Sequence, residues 1–277
     1  ASIKKILGLI ERLAKGESYV KFWSAFGKVL KEGIIEDTVN RERIAKLLRF
    51  SSTIDDNENP TVSLSDYVAR MGEEQTNIYY ITTESFSTAK NSPHIEYFRG
   101  QGTEVLLLHD QIDEWLVSHL TEFEGKTLKS IVHADLEGKN EEGKADENDE
   151  AKEISEHDEF FAKIKEALSE EVEDVRSSKR LTTSPACLVS SAEQPSANLE
   201  RLLQAAGQEV PKTKRILELN MEHPVIALAQ ENQDSADLKD WSEMLYEQSI
   251  LAEGGKLEDP SGFIKRMNEM MLKLSGA

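Results

Sequence analysis

The sequence predicts a chain of mixed α/β and α+β class in two parts: a small α/β layered subdomain, then an α+β domain that ends in a helical bundle. Three observations lead there. In the first half, short runs of β-branched, aromatic or continuous apolar residues (77–83, 104–109 and 127–132) alternate with segments of helical periodicity. The length, 277 residues, exceeds what one core of typical size holds. The charge is also uneven. Residues 1–133 carry 16 basic and 20 acidic groups, whereas 134–277 carry 17 and 32.

Taken in order, Ile3, Ile6, Leu7, Ile10 and Leu13 recur at helical spacing. So do Val20, Trp23, Phe26 and Leu30, ahead of a stop at Lys31-Glu32-Gly33. Arg41 to Phe50 reads as a third helical run. Ser63 and Asp66 have the spacing of a capping box for a helix over Leu64–Met71 that ends at Gly72. Asn77–Thr83 is the first strand, and helical segments at Phe86–Lys90 and Pro93–Arg99 follow. Glu104–His109 reads as a buried parallel strand. Asp110 is expected to cap a helix to Leu120, and Thr127–Val132 to form a third strand. Strands alternating with helices make an α/β layer.

Residues 134–159 hold 12 acidic and 3 basic groups, with Leu136 and Ile154 as the large aliphatics. Such a run buries too little to offset its ordering entropy. The sequence therefore divides into 1–133, an acidic connection at 134–150, and 151–277, with a helix starting near Ala151. In the second part Phe160, Phe161, Ile164 and Leu168 mark that helix. Strands are expected at Val172–Ser178, Ala186–Ser190 and Arg215–Leu219, and a short helix at Ala197–Ala206, stopped by Gly207. Three helices close the chain: Pro224–Glu231, Asp237–Leu251 (capped by Asp234) and Pro260–Leu274, where Pro260 suits the first helical position.

Composition narrows the function classes. A net charge of -19 repels phosphate backbones and anionic bilayers, so neither nucleic acid nor a membrane is an expected partner. No run approaches the 18 or so apolar residues of a membrane span. The amphipathic start does not read as a signal peptide, and the missing initiator Met suggests a processed or excised chain. The single cysteine, Cys187, excludes an internal disulfide and fits a reducing cytoplasm. P-loop, nucleophile-elbow and zinc-protease motifs are missing. Gly100-Gln-Gly102 precedes a strand and is not a nucleotide loop. No catalytic residue and no metal ligand is expected. The alternative is a small α/β enzyme with an Asp/His site near residues 109–119, using Asp110, Asp113, Glu114 and His119.

Three apolar features point to binding. Trp115 sits with Ile112, Leu116 and Leu120 among Asp110, Asp113 and Glu114, offering a large rigid contact surface. Leu199, Leu202, Leu203 and Ala206 share one face of a short helix, with Glu200, Arg201 and Gln204 opposite. Leu238, Trp241, Met244, Leu245 and Leu251 stripe one terminal helix. Phe263, Ile264, Met267, Met270, Met271 and Leu274 stripe the other. Pairing these with a second copy would give a four-helix bundle.

Seven ordered blocks carry a resemblance: FWSAFGKVLKEGIIED (22–37), IAKLLRFSST (44–53), TVSLSDYVARM (61–71), IYYIT (78–82), GTEVLLLHDQIDEWLVSHLTEFEGK (102–126), EDVRSSKRLTTSPA (173–186) and LEDPSGFIKRMNEMM (257–271). Together they resemble the 90-kDa heat-shock chaperones, in their bacterial form, over nearly the whole chain. The resemblance implies the end of the family's middle domain (1–133) and its carboxy-terminal dimerisation domain. It implies a chaperone of the stress response that binds unfolded or partly folded clients. By resemblance the client surface falls on Trp115, Leu199, Leu202 and Leu203. The dimer contact falls on Leu238, Trp241, Leu245, Phe263, Ile264, Met267, Met270 and Met271. The family's ATP-binding domain would precede residue 1. ATP and magnesium would thus serve the longer protein, with no cofactor and no ATPase activity expected in this chain. The end, MLKLSGA, lacks the acidic tail of the eukaryotic cytosolic members.

Overall fold

A computed structural model of the chain describes residues 2–133, 147–191, 193–211 and 213–275. They form two compact units, Ala1–Asn91 with Phe98–Ile131, and Ser92–Tyr97 with Val132–Ala277. The acidic stretch 134–146 lies outside the described residues.

In the first unit α1 (Ser2–Leu13), α2 (Tyr19–Glu36) and α3 (Arg41–Ala45) precede β1 (Ser51–Ser52). Then come α4 (Leu64–Arg70), β2 (Asn77–Thr82) and α5 (Phe86–Lys90). A 3-10 turn, Pro93–Ile95, and the start of α6 (Glu96–Gly100) belong to the second unit; the chain then returns to the first with β3 (Val105–Leu108), α7 (Asp113–His119), β4 (Glu122–Phe123) and β5 (Lys126–Ser130). The five strands run in the order β1-β3-β2-β5-β4. β2 pairs in parallel with β3 and β5, while β1 and β4 close the edges antiparallel. All four residues of β3 are buried, as its uninterrupted apolar run predicts. Ser63 caps α4 in a full capping box with Asp66.

Several local expectations fail for identifiable reasons. α2 runs through the expected stop at Lys31-Glu32-Gly33. A Cβ on Gly33 would stand 3.2 Å from Ile44 Cδ1, so the glycine admits α3 instead of ending the helix. The run to Phe50 is helical only to Ala45, because Phe50 turns out to bridge to Val62. Asp110 does not cap α7 with its side chain; its own N–H donates to Asp113 Oδ2 at 2.9 Å. The two-residue strands β1 and β4 were too short to leave a period.

The second unit has α8 (Glu147–Ala167), β6 (Val172–Ser177), β7 (Ala186–Val189), α9 (Ala197–Ala205), β8 (Arg215–Leu219), α10 (Pro224–Glu231), α11 (Leu238–Ala252) and α12 (Pro260–Ser275). β8 is central, parallel to β6 and antiparallel to β7. α8 starts four residues before the expected Ala151. Its Phe160 and Ile164, with Leu168 just past its end, join Leu188, Leu217, Leu219, Trp241 and Leu245 in one core. Asp234 pairs with Lys163 at 2.6 Å and does not cap α11. Gly254, at φ +75°, ends α11: its N–H and that of Gly255 donate to Leu251 and Ile250 carbonyls.

Candidate apolar binding surfaces

In the first unit the surface is built on α7. Its inward residues are Asp113, Glu114 and Leu116, all buried. Trp115 points the other way and keeps 38% of its surface exposed. At the end of the helix the Ser118 hydroxyl donates to the Trp115 carbonyl, and His119 Nδ1 stands 2.8 Å from the same oxygen. Asp110 and Asp113 are held by Lys31, whose Nζ lies 2.8 Å from Asp110 Oδ2 and 2.7 Å from Asp113 Oδ1. Burial raises the Asp113 carboxyl above its ordinary range against the pull of Lys31. Burial opposes ionisation of the more accessible Asp110 as well, yet Lys31 and Lys28 draw it below that range. Of the groups in the enzyme alternative, Asp110, Asp113 and His119 are thus engaged in pairing and helix-end contacts, and Glu114 is buried. Among the described residues no three His, Cys, Asp or Glu side chains are grouped to hold a metal ion.

In the second unit the surface is built on α9, whose start is fixed by the Ser196 hydroxyl accepting from the Leu199 N–H at 3.0 Å. The helix docks by its polar residues. Asn198 is buried, and an Arg201 amine donates to the Glu253 carbonyl at 3.0 Å. Arg201 therefore does not face outward as its spacing suggested. Leu199, Leu202 and Leu203 stay partly exposed, and Gln204 to Gly207 are exposed. Behind the helix, Glu253 pairs with Arg215 and lies 3.6 Å from His94 Nε2. Burial resists charge on Glu253, but Arg215 and then His94 hold its carboxyl below the usual range. Cys187 is fully buried. Burial, then the Glu218 charge, pushes its thiol well above the ordinary range, so it packs as a small apolar side chain.

The terminal helices divide the eight residues expected to meet a second copy. Leu238, Trp241, Leu245 and Met270 are buried in the protomer's own core. That leaves Phe263 and Met267 partly exposed, Ile264 at 52% and Met271 at 58%. One face of α12, at 266, 267 and 270, docks on its own unit: Met270 lies in the core, Met267 packs against it, and the Arg266 guanidinium reaches Glu247 at 2.6 Å and Glu243 at 3.1 Å. The neighbouring face carries Ile264, Met271 and Leu274, all exposed, with the half-buried Met267 at its edge; the four are spaced at three, four and three residues, the spacing of a helix-pairing seam. Leu251 and Leu272 are exposed nearby in sequence.

Sequence reading missed the residues that aim these surfaces. Lys31 gives a usable signal, since it falls in register with Trp23, Gly27 and Ile34 on the buried face of α2. Asn198 and Arg201 give none, because they look like the solvent side of an amphipathic turn.

Comparison with known proteins follows the same lines. The family model described as Hsp90 protein matches residues 2–276. The chaperone protein HtpG of Dechloromonas aromatica is 49% identical over 274 residues, covering 98% of this chain and 43% of that protein. The chaperone protein HtpG of Nitrosomonas europaea is 52% identical over 283 residues, covering 99% and 44%. That of Alkalilimnicola ehrlichii is 48% identical over 279 residues, covering 100% and 43%. The chain thus spans less than half the length of these curated relatives. Among the described residues no helix is long and apolar enough to cross a membrane.

Proposed function

The chain belongs to the Hsp90 family, and from that membership we propose that it is the client-holding and self-associating part of a molecular chaperone of the cytoplasm. Unfolded or partly folded chains are gripped by Trp115 and by the Leu199, Leu202 and Leu203 face, and two copies join through the Ile264, Met267, Met271 and Leu274 seam of α12. The observation that carries this reading is the inverted docking of both helices. Each buries polar residues while large apolar surface stays at least partly open: on α7 Trp115 is exposed beside the buried Asp113, Glu114 and Leu116, and on α9 Asn198 is buried while Leu199, Leu202 and Leu203 stay partly exposed.

Covering one such leucine is worth roughly 1–2 kcal/mol, so each patch alone is weak. Two copies present each patch twice, and simultaneous engagement multiplies weak contacts into useful affinity. The net charge of -19 keeps apolar patches from aggregating and favours basic clients. ATP and magnesium act, on this reading, in the portion of the longer relatives that this chain does not span; its own residues hold and pair.

The test is equilibrium binding of reduced, carboxamidomethylated lysozyme, a basic unfolded chain. Trp115→Ser with Leu199→Asp and Leu203→Asp weakens binding about tenfold or more, with the circular dichroism unchanged. An unaltered affinity in the folded variant overturns the assignment.

A further inference from the structure

α7 has seven residues, too few to hold a rotational setting without help from its surroundings. That setting matters, because Trp115 and Leu116 are adjacent and a helix advances about 100° per residue. A turn of that size about the axis would exchange the exposed indole for the buried leucine. Leu116 supplies one fixed point inside the core. The other is an ammonium group that the core has no evident reason to hold.

Lys31 is only 3% exposed, in the middle of an apolar helix face. Its Nζ lies between two carboxylates on either side of the turn entering α7, donating a hydrogen bond to Asp110 at 2.8 Å and forming an ion pair with Asp113 at 2.7 Å. It also lies 5.4 Å over the Phe50 ring. Asp113 closes the arrangement by accepting the Asp110 N–H. A buried ion pair is often no more stabilising than apolar side chains of the same volume, but its donors and acceptors are directional. An apolar contact would tolerate rotation of the short helix. The Lys31 bridge to Asp110 and Asp113 does not.

We propose that Lys31 is a positioning residue for the binding surface: by bridging Asp110 and Asp113 it fixes the rotation of α7 and so keeps Trp115, not Leu116, outside. This deepens the client-holding reading and rests on it for affinity alone, since the orientation of Trp115 can be read without any client.

The experiment replaces the pair by apolar residues of similar volume, Lys31→Met with Asp113→Leu. Lys28→Met serves as control, because Lys28 reaches the same Asp110 from solvent at 3.2 Å. Acrylamide quenching of Trp115 is isolated as the difference from matched Trp115→Phe chains, and binding of carboxamidomethylated lysozyme is measured alongside. The double variant keeps its circular dichroism and cooperative melt, changes the Trp115 quenching constant at least twofold, and binds the probe about fivefold more weakly. The control changes nothing. A folded double variant with quenching unchanged overturns the proposal, because a bridge with a merely structural role would move the melt and not the indole. Changed quenching with unchanged affinity upholds the positioning role and overturns the client reading. Should the double variant melt early, Lys31→Gln, neutral and still flexible, gives the same quenching readout with the same expected and contrary results.

Discussion

The Glu96 carboxylate accepts the Ser184 hydroxyl at 2.5 Å, and the same group takes the N–H groups of Thr182, Thr183 and Ser184 and the Thr183 hydroxyl. Burial works against ionisation here, but the hydrogen bonds from Ser184, Thr183 and Thr182 outweigh it and bring the carboxyl down to about 2. Its ordinary value is 4.5. A folded value below the unfolded one means stabilisation that is complete above about pH 5 and is lost as pH falls from there towards 2. Because the group is partly open to solvent, the effect is discounted to about 1–2 kcal/mol. Glu96→Gln lowers stability by that amount at pH 7 and flattens the acid limb. Urea titrations of both proteins from pH 6 to pH 2.5 check this, and parallel curves would contradict it.

Gly27 gives an opposite expectation to helix propensity. In a free helix Gly→Ala gains about 1 kcal/mol. Here a Cβ would stand 2.8 Å from Trp23 Cε2 and 2.9 Å from its Cδ2, against a ring that is itself buried. The ring cannot swing away without opening the core, and overpacking costs about 1–3 kcal/mol. Gly27→Ala is therefore net destabilising, by about 1–2 kcal/mol. Denaturant unfolding measures it, and a stabilised variant would show that the ring moves freely.

How far the sequence spoke depended on how local each signal was. The capping box at Ser63, the buried run of β3 and the helix end at Gly207 were legible, because each is fixed by residues a few positions apart. The boundaries that failed depend on distant partners. α2 continues past Gly33 to receive Ile44, and Phe50 leaves its helix to bridge Val62. The candidate surfaces were legible as apolar stripes. Which stripe faces its own core was not, since Trp241 and Met270 carry the same periodicity as Ile264 and Met271. The clasp of Glu96 on residues 182–184 leaves no pattern at all across a separation of more than 80 positions.

The division of α12 into a docked face and an open seam predicts how charge will act on assembly. Ile264→Asp with Met271→Asp places two carboxylates on exposed positions of the seam and leaves Met267, Met270 and Arg266 in place. Sedimentation equilibrium then reports monomers where the unaltered chain reports dimers, with the melting temperature within a few degrees. Met270→Asp instead unfolds the second unit, since a charge enters a closed core. An unaltered dimer after the seam substitutions would place the contact elsewhere.

The claim at the centre of this account is that Trp115 is a contact made with an unfolded chain. Trp23 and Trp241 are buried, so acrylamide reaches Trp115 preferentially. The decisive measurement is acrylamide quenching of the unaltered chain with and without saturating carboxamidomethylated lysozyme that has been stripped of tryptophan fluorescence by oxidation. The bound probe is expected to cut the quenching constant at least twofold. Binding of the probe with the quenching constant unchanged would contradict it.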